Sequence, residues 1–118
     1  MNVLFIFNEA PNAAGRSVNA LRLACSLSVR STVFVRVFLL GAAVACACKH
    51  SASRADPGDA EELVEAVIHR GGDVGVCSNC SEEEEDESRL GPFVQGCRLS
   101  PLDELSRWVC ESDRVLVF

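Results

Sequence analysis

The side chains best suited to chemistry in this sequence are thiols, and two of them form a Cys-x-x-Cys motif, Cys77-Ser-Asn-Cys80. The motif follows a short apolar segment and precedes Ser81 and Glu84, whose spacing is that of a capping box at the start of a helix. A thiol just before a helix meets unpaired N–H groups and the positive end of the helix dipole, and both favour the nucleophilic thiolate. We therefore predict that Cys77 is a nucleophile and that Cys80 resolves a disulfide or accepts a sulfur atom.

A second pair of thiols, Cys46 and Cys48, follows Gly41 in an apolar segment that suits a helical turn. Residues two apart on a helix point to different sides, so only one of the pair can face Cys77. We expect this to be Cys46, as a second sulfur acceptor across a cleft. The alternatives are that the cysteines only pack as small hydrophobic side chains, or that they bind zinc together with His50. A Cys-x-Cys on an apolar turn fits a zinc knuckle poorly, and we predict neither a metal nor a cofactor.

The three remaining cysteines are expected to be structural. Cys25 lies on the apolar stripe of a predicted helix, and Cys110 lies two residues after the only tryptophan, Trp108, so both are predicted to be core residues. Cys97 lies in a turn-like Gln-Gly-Cys-Arg segment, where either role is open, and we favour a structural one.

Length and charge restrict the classes of function. A chain of 118 residues has the size of one domain, residues 1–118. Six of its 17 acidic side chains lie in one run, residues 82–87, and the net charge is −6. No basic surface is indicated, so nucleic acid and anionic membrane are poor partners. The acidic run is either a solvated helix start or a docking surface for a basic partner protein.

Targeting signals are not apparent. Residues 1–9 have no basic n-region and an apolar run of only five residues, which is typical of a strand and not of a signal peptide. The apolar segment 33–48 has 16 residues, which is short for a membrane span, and it contains Arg36 and Gly41. We therefore predict a soluble, cytoplasmic protein whose cysteines are in a reducing compartment.

Strand and helix patterns alternate along the chain. Near-continuous apolar runs, typical of strands covered on both faces, span 2–7, 32–40, 73–77 and 113–118, with a weaker fifth candidate near 93–99. Helical patterns separate them: an apolar stripe over 16–29, and helix starts at Asp59, Ser81 and Ser100-Pro101. Gly71-Gly72 marks a helix end.

This alternation predicts one three-layer α/β domain, Rossmann-like or flavodoxin-like, with a mostly parallel sheet of about five strands and helices on both faces. In such sheets, ligands and reacting groups collect at the carboxyl ends of the strands. Cys77 and Cys80 follow one predicted strand, and Cys46 and Cys48 follow another, so we expect four thiols at one edge of the sheet.

Five segments, in this order and spacing, resemble the DsrE/DsrF-like sulfur-relay family over the whole chain. They are Asn8-Glu-Ala-Pro11, Ser17-x-Asn-Ala-Leu-Arg-Leu-Ala24, Val35-x-Val-Phe-Leu-x-Gly-x-Ala-Val44, Gly71-Gly-x-Val-Gly-x-Cys77-x-x-Cys80, and Leu102-Asp-Glu-Leu105 with the ending 113–118. The chain departs from the family pattern at Ser78, where many relatives have glycine, and in the acidic run.

The resemblance implies a homo-oligomer, a trimer or hexamer, that carries sulfur as a cysteine persulfide between donor and acceptor proteins. The sulfur-carrying cysteine of the family lies at the end of the third strand, which corresponds to Cys77 here. We therefore predict a small sulfur carrier that resembles a sulfurtransferase. Whether it is an enzyme is left open by the sequence. The alternatives are a thiol–disulfide redox sensor that uses Cys77 and Cys80, and a structural oligomeric module whose cysteines pack or bind zinc.

Overall fold

The structure is a computed structural model that describes residues 1–11, 15–49, 59–78 and 92–118. Strands and helices alternate through this part of the chain, as the apolar patterns predict. The described elements are β1 (Asn2–Phe7), α1 (Arg16–Ser28), β2 (Phe34–Leu39), a 3-10 helix (Gly41–Ala47), α2 (Asp59–His69), β3 (Asp73–Cys77), β4 (Arg98–Ser100), α3 (Leu102–Glu111) and β5 (Arg114–Val117).

The five strands form one parallel sheet in the order β4-β3-β2-β1-β5. The chain moves in one direction across the sheet from β1 to β4 and then returns to place β5 on the other side of β1. Because crossovers between parallel strands are right-handed, this reversal puts α1 and α2 on one face of the sheet and α3 on the opposite face. The predicted single α/β domain with a five-stranded sheet is confirmed.

Successive side chains of each strand alternate between the two faces of the sheet and so build two separate cores. The first face, covered by α1, α2 and the 3-10 helix, carries the larger core, to which the strands contribute Val3, Phe5, Phe7, Val35, Val37, Leu39, Val74 and Val76. The second face, covered by α3, carries a smaller core of Leu4, Phe38, Cys77 and Trp108.

The helix end predicted at Gly71-Gly72 is confirmed. Helix α2 ends at His69, and Gly71 follows with a φ of +91°, a left-handed conformation that glycine adopts without strain. The N–H groups of Gly71 and Gly72 donate to the carbonyls of Ile68 and Val67 at 3.0 and 2.9 Å. These bonds satisfy the last carbonyls of the helix and turn the chain directly into β3.

Two details of the predicted elements differ from the structure. The fifth strand candidate near 93–99 becomes β4 at Arg98–Ser100, while Phe93 forms only an isolated antiparallel bridge with Cys48. The helix start predicted with Ser100 as its cap is wrong by one residue, because Ser100 is still paired with Cys77 in the sheet. Pro101 takes the N-cap position, and its carbonyl accepts from the N–H of Glu104 at 3.0 Å.

Candidate functional site

Cys77 is the last residue of β3 and pairs with Ser100 of β4. Its position at the carboxyl end of an internal parallel strand is the one where such sheets bind ligands. Its side chain is nevertheless buried, at 1% exposure, among Leu4, Phe38 and Trp108 on the second face of the sheet. The candidate nucleophile therefore lies inside a small core and not in an open cleft.

Trp108 is the side chain of α3 that closes this core. It is 1% exposed and meets the ring of Phe38 edge-on, with 5.9 Å between the ring centroids and an interplanar angle of 86°. This is the arrangement that aromatic pairs favour. Leu105 of the same helix packs at the border of the cluster, together with Ile6 and Leu40. Any reagent that reaches Cys77 from the second face has to pass these side chains.

Two cations lie close to the ring of Trp108. The guanidinium carbon of Arg36 lies 5.2 Å from the ring centroid of Trp108 and also 5.2 Å from that of Phe34. The guanidinium of Arg98 lies 5.8 Å from Trp108. Arg36 also binds Glu111, at the end of α3, with 2.7 Å between Nη1 and Oε2. These contacts hold α3 over the core that contains Cys77.

Gly75 provides the space for this packing two residues before Cys77 and on the same face. A Cβ at Gly75 would lie 3.1 Å from Cδ2 of Phe38 and 3.1 Å from Oγ of Ser100. Both distances are tighter than ordinary contacts, so the missing side chain lets the Phe38 ring approach the backbone of β3 closely. The Phe38 ring in turn reaches the cluster around Cys77.

Cys46 lies in the 3-10 helix and is fully buried in the core of the first face. Cys77 belongs to the core of the second face. The structure therefore places the two candidate sulfur-handling thiols in different cores with the sheet between them. Cys80 and His50 lie outside the described residues, as do the helix start predicted at Ser81 and the acidic run 82–87.

Cys48 has Cys97 as a neighbour. The isolated bridge between Cys48 and Phe93, and the N–H of Val94 donating to the carbonyl of Ala47 at 2.7 Å, join the two segments. Burial, reinforced by the nearby Cys48, raises the pKa of the Cys97 thiol to about 12. A thiol with so high a pKa is protonated at neutral pH and is a poor nucleophile, which agrees with the structural role predicted for Cys97.

The other two cysteines divide between core and surface. Cys25 is buried as predicted, its Sγ donates to the carbonyl of Leu63 at 3.2 Å, and burial raises its pKa while Arg70 opposes this. Cys110 is exposed, so the prediction that it belongs to the core is wrong. A helix turns by about 100° per residue, so a residue two positions after the buried Trp108 points away from the sheet.

Two features are absent from the described parts of the chain. Within these ranges no three His, Cys, Asp or Glu side chains are grouped so that they could hold a metal ion. Over the same residues, no helix has the length and apolar character needed to cross a membrane.

The sequence did not indicate which residues enclose the candidate nucleophile, Cys77. Leu4, Phe38 and Trp108 come from three distant parts of the chain, and their convergence follows from the strand order, which the apolar pattern does not specify. The one available signal was Trp108 itself, since a tryptophan on a predicted helix is commonly largely buried against the core. The fold and this enclosed thiol at a strand end define a small α/β protein with a candidate cysteine site.

A sequence model of the DsrE/DsrF-like family matches residues 1–118, and the chain belongs to this family. Among its relatives, the uncharacterised protein MK0008 of Methanopyrus kandleri is 32% identical over 120 residues, covering 98% of this chain and 93% of that protein. The uncharacterised protein MJ0989 of Methanocaldococcus jannaschii is 31% identical over 122 residues, covering 100% of both chains.

Solved structures with the same fold support the chain topology. The crystal structure of the ychN protein from E. coli matches with a TM-score of 0.84 and 24% identity, covering 100% of this chain and 99% of that one. The protein of unknown function MTH1491 from Methanobacterium thermoautotrophicum matches with a TM-score of 0.72 and 14% identity, covering 99% and 98%. At these identities the likeness concerns the fold alone.

Proposed function

We propose that this protein is a cytoplasmic sulfur carrier that holds sulfur as a persulfide on Cys77 and passes it from a donor protein to an acceptor protein. The observation that carries the proposal is the position of Cys77 at the carboxyl end of an internal parallel strand, in a chain that belongs to the DsrE/DsrF-like family. The family resemblance suggests persulfide transfer as the reaction, and the strand-end position suggests Cys77 as the residue that performs it.

The proposed transfer is a thiol exchange. The thiolate of Cys77 attacks the terminal sulfur of a donor persulfide, R–S–SH, so that a bond forms between Sγ and that sulfur. The bond between the terminal sulfur and the donor's own sulfur breaks, and the donor leaves as a thiolate that takes up a proton. The exchange is neutral in electrons and needs no external oxidant, and Cys77 holds the terminal sulfur until an acceptor thiol repeats the same attack.

Burial of Cys77 adds a condition to this proposal. At 1% exposure, the thiol can meet a donor only when the side chains over it are displaced. The reaction of Cys77 should therefore depend on the size of the reagent and should accelerate in low concentrations of urea. A carrier benefits from such enclosure because the persulfide is shielded from the solvent between transfers.

The direct test is the intact mass after exposure to a persulfide donor. We expect a gain of one sulfur atom that a reductant removes, retained in the matched control Cys110→Ser and lost in Cys77→Ser. Cys46→Ser tests the second acceptor, and Cys80→Ser tests the resolving thiol. A gain of sulfur that survives in Cys77→Ser would contradict the assignment of Cys77.

A redox pair is the second candidate, and the Cys77-x-x-Cys80 spacing is the feature that favours it. In this case the mass falls by two hydrogen atoms on mild oxidation, and either Cys77→Ser or Cys80→Ser abolishes the change. A protein that gains no sulfur and loses no hydrogen would have cysteines that only pack. The mass changes after these two treatments thus separate all three functions.

A further inference from the structure

Ser100 has a fully buried hydroxyl group that is weakly hydrogen-bonded. The residue is 0% exposed, and within the described part of the chain its hydroxyl donates only to the carbonyl of Arg98, at 3.3 Å. Hydrogen bonds between a hydroxyl and an oxygen are commonly about 2.7–2.8 Å long. Ser17, which is as deeply buried, donates to the carbonyl of Glu9 at 2.8 Å. A buried hydroxyl without a good partner costs free energy, so stability does not explain a serine at position 100.

The hydroxyl lies on the same face of the sheet as the thiol of Cys77. The two residues are paired at the ends of β4 and β3, so their side chains project side by side. Neighbouring strands are about 4.8 Å apart, a separation that a hydrogen bond between two such side chains spans. A Cβ at Gly75 would meet both Oγ of Ser100 and the ring of Phe38, which belongs to the same small core as Cys77. The weakly bonded hydroxyl is therefore next to the candidate nucleophile.

We propose that the hydroxyl of Ser100 is a hydrogen-bond donor to Sγ of Cys77 whenever that sulfur carries negative charge. While the thiol is protonated, the hydroxyl donates to the carbonyl of Arg98. A rotation about the Cα–Cβ bond of Ser100 redirects it to the sulfur. A charged acceptor makes the stronger bond, so the gain exceeds the loss of the long bond to the carbonyl.

The same bond assists the sulfur transfer proposed above, and this part of the inference rests on that proposed function. The hydroxyl stabilises the Cys77 thiolate that attacks the donor persulfide. It stabilises the same sulfur again when an acceptor thiol takes the terminal sulfur and Cys77 leaves as a thiolate. A donor directed at the atom where charge develops lowers the barrier. Ser100 keeps its proton throughout, so the atoms and electrons of the exchange stay balanced.

The described charged groups on this face form ion pairs with one another. They come from the strands and the helix around the two residues: Arg36 of β2, Asp73 of β3, Arg98 of β4, and Glu104 and Glu111 of α3. The part of β1 in this core is apolar. Carboxyl and guanidinium groups as classes titrate outside the range from about pH 7 to pH 10. In this range, the pH dependence of reactions at Cys77 therefore reports on its own sulfur.

The test is the rate of Cys77 alkylation by iodoacetamide from about pH 6 to pH 10, in the wild type and in Ser100→Ala, followed by peptide mass mapping. A hydrogen bond to a charged group changes the thiolate population by about 10- to 100-fold. Roughly half of this, on a logarithmic scale, is offset because a stabilised thiolate is a weaker nucleophile. We therefore expect Ser100→Ala to react about 3- to 10-fold more slowly at pH 7. The two rates should converge as the pH rises and then cross, because the thiolate without its donor is the better nucleophile.

The crossing distinguishes a hydrogen-bond donor from a merely structural residue. A change in how often α3 opens multiplies the rate by the same factor at every pH, and the two logarithmic curves then stay parallel. Ser17→Ala is the matched control, because it removes an equally buried hydroxyl from the first turn of α1. It should lower the urea midpoint, since it removes a bond of 2.8 Å, and give a curve parallel to that of the wild type. Ser100→Ala should leave the urea midpoint unchanged, since the bond that it removes is 3.3 Å long.

Curves for the wild type and Ser100→Ala that coincide or stay parallel would overturn the proposal. The alkylation test needs no persulfide, so its result is independent of sulfur transfer. Crossing curves in a protein that gains no sulfur would support the role of Ser100 and contradict the carrier function. Parallel curves in a protein that gains sulfur on Cys77 would do the reverse. In a carrier, Ser100→Ala should also slow the transfer of sulfur from Cys77 to glutathione, because the leaving sulfur has lost its donor.

Discussion

Replacing Trp108 by alanine should both destabilise the protein and uncover Cys77. Truncating a fully buried tryptophan costs about 3–5 kcal/mol, from lost burial and from the cavity that remains. The cations above the ring add to this, since each contributes about 0.5–1 kcal/mol at a partly exposed site. We therefore expect Trp108→Ala to lower the free energy of unfolding by about 4–7 kcal/mol. Trp108→Phe, which retains an aromatic ring over Phe38, should lose less than half of this.

The assay is urea unfolding followed by far-ultraviolet circular dichroism, because the substitution removes the only tryptophan. The protein concentration is held constant, since association would add to the apparent stability. The control is Val109→Ala on the same helix, where the side chain is 42% exposed and the change should stay within about 0.5 kcal/mol.

The second measurement is the alkylation rate of Cys77, followed by peptide mass mapping. If the reagent enters by opening of the α3 core, each 1.4 kcal/mol lost from that core raises the rate about tenfold. Trp108→Ala should then react about 1,000-fold faster than the wild type, or more. The reasoning would be refuted if the variant lost less than about 1 kcal/mol, or if Cys77 reacted at the wild-type rate.

Three further substitutions or conditions test other parts of the structure. A Cβ at Gly72 would lie 2.9 Å from the carbonyl oxygen of Val35, so Gly72→Ala should cost about 1–3 kcal/mol in thermal or urea unfolding, and an unchanged midpoint would contradict the close approach. Arg36→Lys keeps the charge but loses the planar group stacked between two rings; we expect a loss of about 1–2 kcal/mol, and full stability would show that charge alone suffices. The pKa of Cys97 is raised from 9.0 to about 12, so its alkylation should stay slow up to about pH 11 while Cys110 is labelled first. Because the unfolded chain releases this proton near pH 9 and the folded chain does not, stability should fall as the pH rises above 9, less so in Cys97→Ala; a pH-independent difference between the two would contradict the shift.

The apolar patterns predicted the strands well because strands buried on both faces leave a strong local signal. β1 and β3 have the predicted bounds, and the strands predicted at 32–40 and 113–118 are only shortened at their ends. Residue 100 shows where local chemistry is insufficient. Serine before proline suits a helix cap, but Ser100 pairs with Cys77 as the last residue of β4. The helix therefore begins one residue later, with Pro101 at the N-cap.

The arrangement of the thiols was harder to predict, because the face toward which a strand residue points depends on the topology of the whole sheet. The position of Cys77 at a strand end follows from the sequence, but its burial under Trp108 depends on the return of the chain across the sheet to β5. Cys77 is the last residue of β3, and the alternation of side chains along that strand places it on the second face of the sheet. Cys46 comes after β2, in the 3-10 helix that packs on the first face.

The central position of β1 in the sheet has a consequence for the synthesis of the chain. β1 pairs on one side with β2, made soon after it, and on the other side with β5, which begins at residue 114. At a translation rate of about 5–20 residues per second, one edge of β1 waits roughly 5–20 s for its partner strand. During this interval Leu4 and Ile6 have neither β5 nor α3 beside them, and the nascent chain presents an apolar strand edge to its surroundings. A chaperone that binds extended apolar segments could bind β1 during this interval, and the arrival of β5 would close that edge.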